Sequence, residues 1–303
     1  MHRRTFLTTS GALFASACAP TVRSTAPTPG RSWGLQLFTV VAPLEADFEG
    51  TLRKVAELGY KEVETIGSFG RDPAYVRAQF DRFGLTSPSQ HIAPDALYAS
   101  FGAWSRKLIT GEQNQATYNA LLSPQNAIPA VRDGIAKAKV LGQTYVTWPI
   151  LMPQMLATSE LLGTYISAFN EAGRICREEG LTFGFHNHAR EFDTIDSRVI
   201  YDRILQETDE NLVRMELDLY WISKARRDAL EYFTKYSGRF YACHVKDMDS
   251  NGDFQPAGSG TLNLPRLING ARAAGVKHFF VEIDRSDDPM DATATSIKYL
   301  RGI

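Results

Sequence analysis

The chain has 303 residues, 44% of them hydrophobic, enough for one large core or two small ones. Its 33 basic and 34 acidic residues leave a net charge of -1, which argues against nucleic acid as a partner and for a small ligand. The three cysteines, Cys18, Cys176 and Cys243, show no CxxC spacing, so no thiolate metal site is suggested.

At the N-terminus, Arg3-Arg4-Thr5-Phe6-Leu7 matches the twin-arginine export pattern. A mildly apolar stretch, 11–19, follows, with a small-residue site at Ala15-Ser16-Ala17. That stretch is too short to span a bilayer. Cys18 stands where a lipoprotein would be acylated, although Ala15 occupies the place where leucine is usual. Residues 21–30, rich in Thr, Ser and Pro, suit a tether from a lipidated Cys18 or an ordinary mature N-terminus. Residues 1–30 are therefore expected to be signal and tether, the product periplasmic and anchored if Cys18 is modified. Residues 31–303 read as one domain.

From Ser32 onward strand-like and helix-like patterns alternate. A strand is predicted over 33–40, then an amphipathic helix over Phe48–Leu58, stopped by Gly59. Glu62–Ile66 is the second strand, and Pro73–Phe83 a helix with proline in its first turn. The third strand is 85–91. Segment 94–129 is polar and irregular, and reads as an extended loop with helical pieces that can act as a lid. A helix over 131–141 leads to strand 144–149. A long helix, 159–179, capped by Ser159, leads to strand 182–188. Helix 197–208, strand Val213–Asp218, helix 229–236, strand 240–246, helix 265–274, strand 279–283 and helix 292–300 complete the pattern. Eight strands alternating with eight helices predict an α/β fold, a closed (β/α)8 TIM barrel. An open doubly wound sheet is disfavoured, because no glycine-rich phosphate turn follows the first strand.

Four late strands each end in a polar cluster. These are His186-Asn187-His188, Glu216-Leu217-Asp218, His244-Val245-Lys246-Asp247 and Glu282-Ile283-Asp284. In such a barrel the carboxyl ends of the strands carry the active site. Side chains alternate along a strand, so His186 and His188 share a face, as do Glu216 and Asp218, His244 and Lys246, and Glu282 and Asp284. Converging imidazoles and carboxylates form a ligand set for a divalent ion such as Mn or Zn. Such an ion acts as a Lewis acid on a hydroxy-carbonyl substrate and favours its enediolate. A carboxylate or histidine beside it moves the proton on the neighbouring carbon.

Some positions admit two readings. Glu64, ending the second strand, is a proton-transfer carboxylate or the partner of a neighbouring base. His91 is a substrate contact or a capped core histidine. Lys246 polarises a substrate oxygen or pairs with Asp247 or Asp218.

Here the chain resembles the xylose isomerase-like barrel family, often labelled sugar phosphate isomerase/epimerase, over nearly all of 32–303. The carriers are Gly34-Leu35-Gln36-Leu37-Phe38, Leu58-Gly59-Tyr60-Lys61-Glu62-Val63-Glu64, Ser89-Gln90-His91, Phe185-His186-Asn187-His188, Glu216-Leu217-Asp218-Leu219-Tyr220-Trp221, His244-Val245-Lys246-Asp247 and Val281-Glu282. The resemblance implies a divalent ion, most often Mn2+, with Zn2+ or Mg2+ as alternatives. Its ligands would be His186, Asp218, His244 and Glu282. Many relatives carry glutamate at the first of these, and His188 or Glu191 could serve in its stead. Catalytic roles would fall to Glu64, Glu282, Lys246 and His188, and substrate contacts to His91, Trp221, Asn187 and Glu216. Trp221 stands where many epimerases have histidine, and offers a flat wall for a sugar ring.

The expected function is a metal-dependent isomerase or epimerase of a keto-sugar. The alternatives are a lyase or dehydratase of 3-keto-glycosides or related keto-polyols, and a non-catalytic anchored sugar-binding protein. Relatives are often dimers, which leaves a homodimer as one candidate assembly. A nuclease of the apurinic endonuclease type is disfavoured by charge and by export.

Overall fold

Eight parallel strands close on themselves in the computed structural model, which describes residues 32–303. The export and lipidation features expected at 1–30 lie outside the described residues. The strands are β1 Gly34–Gln36, β2 Glu62–Ile66, β3 Thr86–His91 and β4 Tyr145–Trp148. They continue as β5 Thr182–His186, β6 Val213–Asp218, β7 Phe240–Val245 and β8 His278–Val281. Strand order is sequential, and β1 pairs with both β2 and β8 to close the barrel. The expected (β/α)8 fold is therefore the observed one. The strands could be read as apolar runs because helices cover their outer face while the barrel packs within. No helix among the described residues is long and apolar enough to cross a membrane. Cys176 and Cys243 are free and buried.

Several boundaries differ from expectation, each for a local reason. The first strand stops at Gln36, whose side chain accepts from Phe38 N (3.1 Å) and starts a 3-10 turn over Leu37–Val40. The segment 94–129 is mostly helix: Asp95–Ser105, Gly111–Leu121 with a Thr110/Gln113 capping box, and Pro124–Leu141, which runs through Pro129. The long helix Ser159–Glu178 is capped by Thr158 rather than Ser159. Beyond β5, Thr194–Ile195 and Arg198–Val199 form a hairpin whose turn residues, Asp196 and Ser197, both have positive φ. The helix expected from Ser197 therefore begins at Ile200. A helix not expected, Leu219–Lys224, follows β6 directly because Asp218 Oδ1 accepts from Tyr220 N and Trp221 N (2.9 Å each).

The base of the barrel is filled by aromatic rings. Tyr145 and Tyr241 stack with centroids 4.0 Å apart, and Phe280 packs beside them. Opposite the Met215–Glu216 step β7 carries one extra residue, Tyr241, since Met215 pairs with Phe240 and Glu216 with Ala242. Gly34 leaves the space that the Phe280 ring occupies: a Cβ there would lie 2.4 Å from Phe280 Cδ1. Gly34→Ala should therefore lower stability by about 1–3 kcal/mol through overpacking, read as a shifted urea midpoint. An unchanged midpoint would show that the ring can retreat.

Candidate metal centre at the barrel mouth

Above the aromatic base the interior turns polar. β6 points both Glu216 and Asp218 inward, two residues apart on one strand. The register pairs Glu216 with His186 on β5, and Asp218 with His244 on β7. Glu282 follows the end of β8 and reaches His244 Nδ1 (2.9 Å). His186, Asp218, His244 and Glu282, all buried, thus bring one donor atom each within 4.8 Å of one another. The four ligands expected from sequence converge.

Their charges explain why they stay together. Burial alone would lower His244, but the carboxylates of Glu216 and Glu282 lift it well above the ordinary histidine value. Burial works the same way on Lys246, fully enclosed, and Asp218, Asp284 and Glu282 raise it well above its ordinary value. Its Nζ lies 2.8 Å from Asp218 Oδ2, 2.5 Å from Glu282 Oε2 and 2.7 Å from Asp284 Oδ2. His186 is driven the other way, to about 3, by burial and by the charge of His244. It is neutral, as a metal ligand must be. The carboxylates Glu64, Glu216, Asp218, Glu282 and Asp284 outnumber the cations Lys246, His244 and His91. Burial lifts Glu64 above the ordinary carboxylate value, with Glu216 adding, and burial lifts Asp284 likewise. A divalent cation would remove that surplus. Asp218 Oδ2, buried against Lys246 Nζ, also faces His186 Nε2 and His244 Nδ1 at 3.8 and 3.9 Å. With bonds of about 2.0–2.2 Å, such separations are those of two ligands on one ion. The donor set fits a divalent metal.

A cavity of about 180 Å3 opens over the cluster, lined among others by His91, His186, His188, Glu282 and Asp284. It shares Phe38, Phe101, Trp104 and Asp284 with an outer chamber of about 760 Å3. His188 Nδ1 is buried with no partner, and its ring lies 5.3 Å from Trp221, whose Nε1 is likewise unpartnered. Asn187 is a brace: its Oδ1 accepts from Asp218 N (3.1 Å). Lys246 is not among the residues lining the cavity; it pairs with Asp218, Glu282 and Asp284, not Asp247. Glu64 and Glu216 do not line the cavity either, and are bonded to histidines. Asp284 and Tyr241 are the additions to the expected set. The Glu282-x-Asp284 spacing signals the first, whereas the second reaches Glu216 Oε1 (3.3 Å) only because of the bulge.

The profile of the Xylose isomerase-like TIM barrel family matches residues 52–303. Inosose dehydratase of Clostridium perfringens is 22% identical over 207 residues, which are 67% of this chain and 65% of that protein. The chain thus spans just under two thirds of this curated relative. A solved sugar phosphate isomerase/epimerase from Parabacteroides distasonis superimposes with a TM-score of 0.73 at 24% identity, covering 89% of this chain and 97% of the other. A 3-keto-D-glucoside 4-epimerase from E. coli has the same fold at a TM-score of 0.58 and 16% identity, covering 90% and 98%.

Glu191, the alternative strand-five ligand, is in neither group of residues able to hold an ion. Its Oε2 accepts from His188 N (2.9 Å), which turns the chain away from β5, and its Oε1 is buried without a partner. Burial raises it from 4.5 to about 7, against the pull of backbone N–H groups. Between those values the folded chain holds more protons than the unfolded one, so stability falls as pH rises from 4.5 through 7. The shift corresponds to about 3 kcal/mol. Urea unfolding at pH 5 and pH 7.5 should show the wild type losing stability relative to Glu191→Gln by an amount of that order. A pH-independent difference would contradict it.

Proposed function

The chain belongs to the xylose isomerase-like TIM barrel family, and from that premise we propose that it is a divalent-metal-dependent enzyme of a polyhydroxylated keto compound. It takes a proton from the carbon beside the carbonyl and expels an oxygen substituent from the next carbon, as a lyase or dehydratase. A bound ion at His186, Asp218, His244 and Glu282 would polarise the carbonyl as a Lewis acid. Two imidazoles with two carboxylates suit Mn2+ or Zn2+.

The observation that carries this reading is the unequal lining of the inner cavity. Carboxylates reach it from the end of β8 only, as Glu282 and Asp284, while His91, His186 and His188 come from β3 and β5 across the barrel. Shuttling a proton between the two faces of one carbon calls for matched acceptors on both. A single carboxylate wall suits one-way removal. Burial would raise Glu282, but Lys246 and His244 hold it well below the usual carboxylate range, so it stands as the anion at the cavity edge. The proton it takes leaves with the departing oxygen, as water or an alcohol, and the carbons keep a double bond. His188, held neutral by burial and by His186, offers its free Nδ1 to a substrate hydroxyl. The curated inosose dehydratases support the same chemistry.

Returning the proton to carbon instead gives isomerisation or epimerisation, the reading that the structural neighbours named epimerase favour. Size bears on the substrate. A cavity of about 150 Å3 admits one benzene, so the inner space of about 180 Å3 suits one ring. The outer chamber, walled by Phe38, Trp104 and Phe254, leaves room for a further substituent on a keto-sugar.

Proton NMR in D2O with metal-loaded protein, keto-inositols and 3-keto-glycosides tests this. The signal beside the carbonyl should disappear as an unsaturated product and water or alcohol form, and Glu282→Gln should slow this by about 10^2- to 10^4-fold. Isomer peaks without elimination would select the second reading, and no exchange with any substrate would sink both. Asp218→Asn should lose the ion, seen as metal content near zero, while Oδ1 still caps Leu219–Lys224. Retained metal would remove Asp218 from the ligand set.

A further inference from the structure

Two overlapping groups of side chains at the mouth can each hold an ion. One is His186, Asp218, His244 and Glu282; the other is His91, His186, Glu216 and His244. The two histidines they share cannot be understood from one face alone. His186 turns Nε2 to Asp218 (3.8 Å) and Nδ1 to Glu216 Oε2 (3.1 Å). His244 turns Nδ1 to Asp218 (3.9 Å) and Glu282 (2.9 Å), and Nε2 to Glu64 Oε2 (2.7 Å) and Glu216 Oε2 (3.2 Å). The rear contacts have hydrogen-bond lengths, as does the front contact of His244 Nδ1 with Glu282, whereas the gaps from Asp218 to both imidazoles are of the width an ion spans. Glu216 Oε2 also meets His91 Nε2 (2.8 Å), and Glu64 Oε2 accepts from Gln36 Nε2 (2.8 Å). Glu64 and Glu216 are both fully buried.

We infer that one ion sits in the front group, and that Glu216 and Glu64 are positioning residues that hold a proton on the rear nitrogens of His186 and His244. A nitrogen bonded to a carboxylate outside the ligand set keeps its hydrogen, which leaves the other nitrogen's lone pair for the metal; Glu282, itself in the front group, would exchange its contact with His244 Nδ1 for the ion. The two imidazoles are therefore fixed in opposite tautomers, His186 protonated on Nδ1 and His244 on Nε2. Glu64, Glu216 and the front ion form carboxylate–imidazole–metal relays that converge on one centre. This assignment rests on the metal reading above and goes beyond it. It takes Glu64 out of proton transfer and Glu216 out of substrate contact, and leaves the rear group without an ion of its own.

The test uses the full chain loaded with Zn2+ for NMR and Co2+ for affinity. Metal analysis after dialysis should give one ion per chain. Long-range 15N–1H correlation of the zinc form, which needs no variant, should show one Nδ1–H and one Nε2–H imidazole among the metal-bound histidines. Glu216→Gln and Glu64→Gln should each weaken Co2+ binding by about 10- to 100-fold, with one-ion stoichiometry and thermal unfolding of the metal-free protein retained. Two ions in the wild type, one of them lost in Glu216→Gln, would overturn the assignment in favour of a rear metal. Identical tautomers, or unchanged affinity in both variants, would overturn it while leaving the front site standing. A wild type that binds no Co2+ or Zn2+ would overturn the metal reading itself.

Discussion

A surplus of carboxylate buried at the barrel mouth is the constraint on which the rest of the site depends. An unpaired buried charge is destabilising by several kcal/mol, so each acid needs a fixed partner. Lys246 lies among Asp218, Glu282 and Asp284, and Glu216 among three imidazoles. These pairings are possible only because neighbouring strands deliver the groups at the same height, Asp218 opposite His244 and His186 opposite Glu216. Below them, tightly packed rings and the small Gly34 and Gly184 hold the strands rigid. The chemistry is therefore a property of register as much as of residue type.

The barrel was legible because its buried strands are apolar runs; polar clusters close four of them, and the family resemblance singled out within those clusters the four residues that converge. Depth was not. Alternation tells which side chains point inward, and Glu64, Glu216 and Glu282 all qualify. Only the pairing register places Glu64 and Glu216 beneath the histidines and Glu282 on the cavity. Turns set by a single side chain were equally hidden, as with Gln36 bending the chain after β1 and Glu191 bending it after β5. The two helices over Asp95–Ser105 and Gly111–Leu121 were expected only as helical pieces of an extended loop, because neither sequence carries a marked apolar stripe.

Function follows from the separation of layers. The rear carboxylates serve the imidazoles, the imidazoles with Asp218 and Glu282 suit an ion, and the cavity side of Glu282 with Asp284 and His188 is left for substrate. No group is asked to do everything, although Glu282 touches two layers. Asp218 also links the site to its wall, since its Oδ1 anchors the helix that carries Trp221.

The helical pair over the mouth is anchored in the barrel's own core: Leu97, Tyr98 and Phe101 are buried in it, and Asp95 pairs with Lys137 (2.7 Å). Tyr98 and Arg106 both reach Glu45, and Phe101 lies against Phe38 with centroids 4.5 Å apart. None of these residues is among the groups able to hold an ion. The part of the molecule that shapes the outer chamber also roofs the inner cavity, through Leu97, Phe101, Trp104, Asn114 and Tyr118, yet supplies none of the residues able to hold an ion. The shape of the space offered to a molecule and the groups able to hold an ion are thus carried by different segments of the chain, so a change in the outline of the pocket need not alter the cluster at its floor.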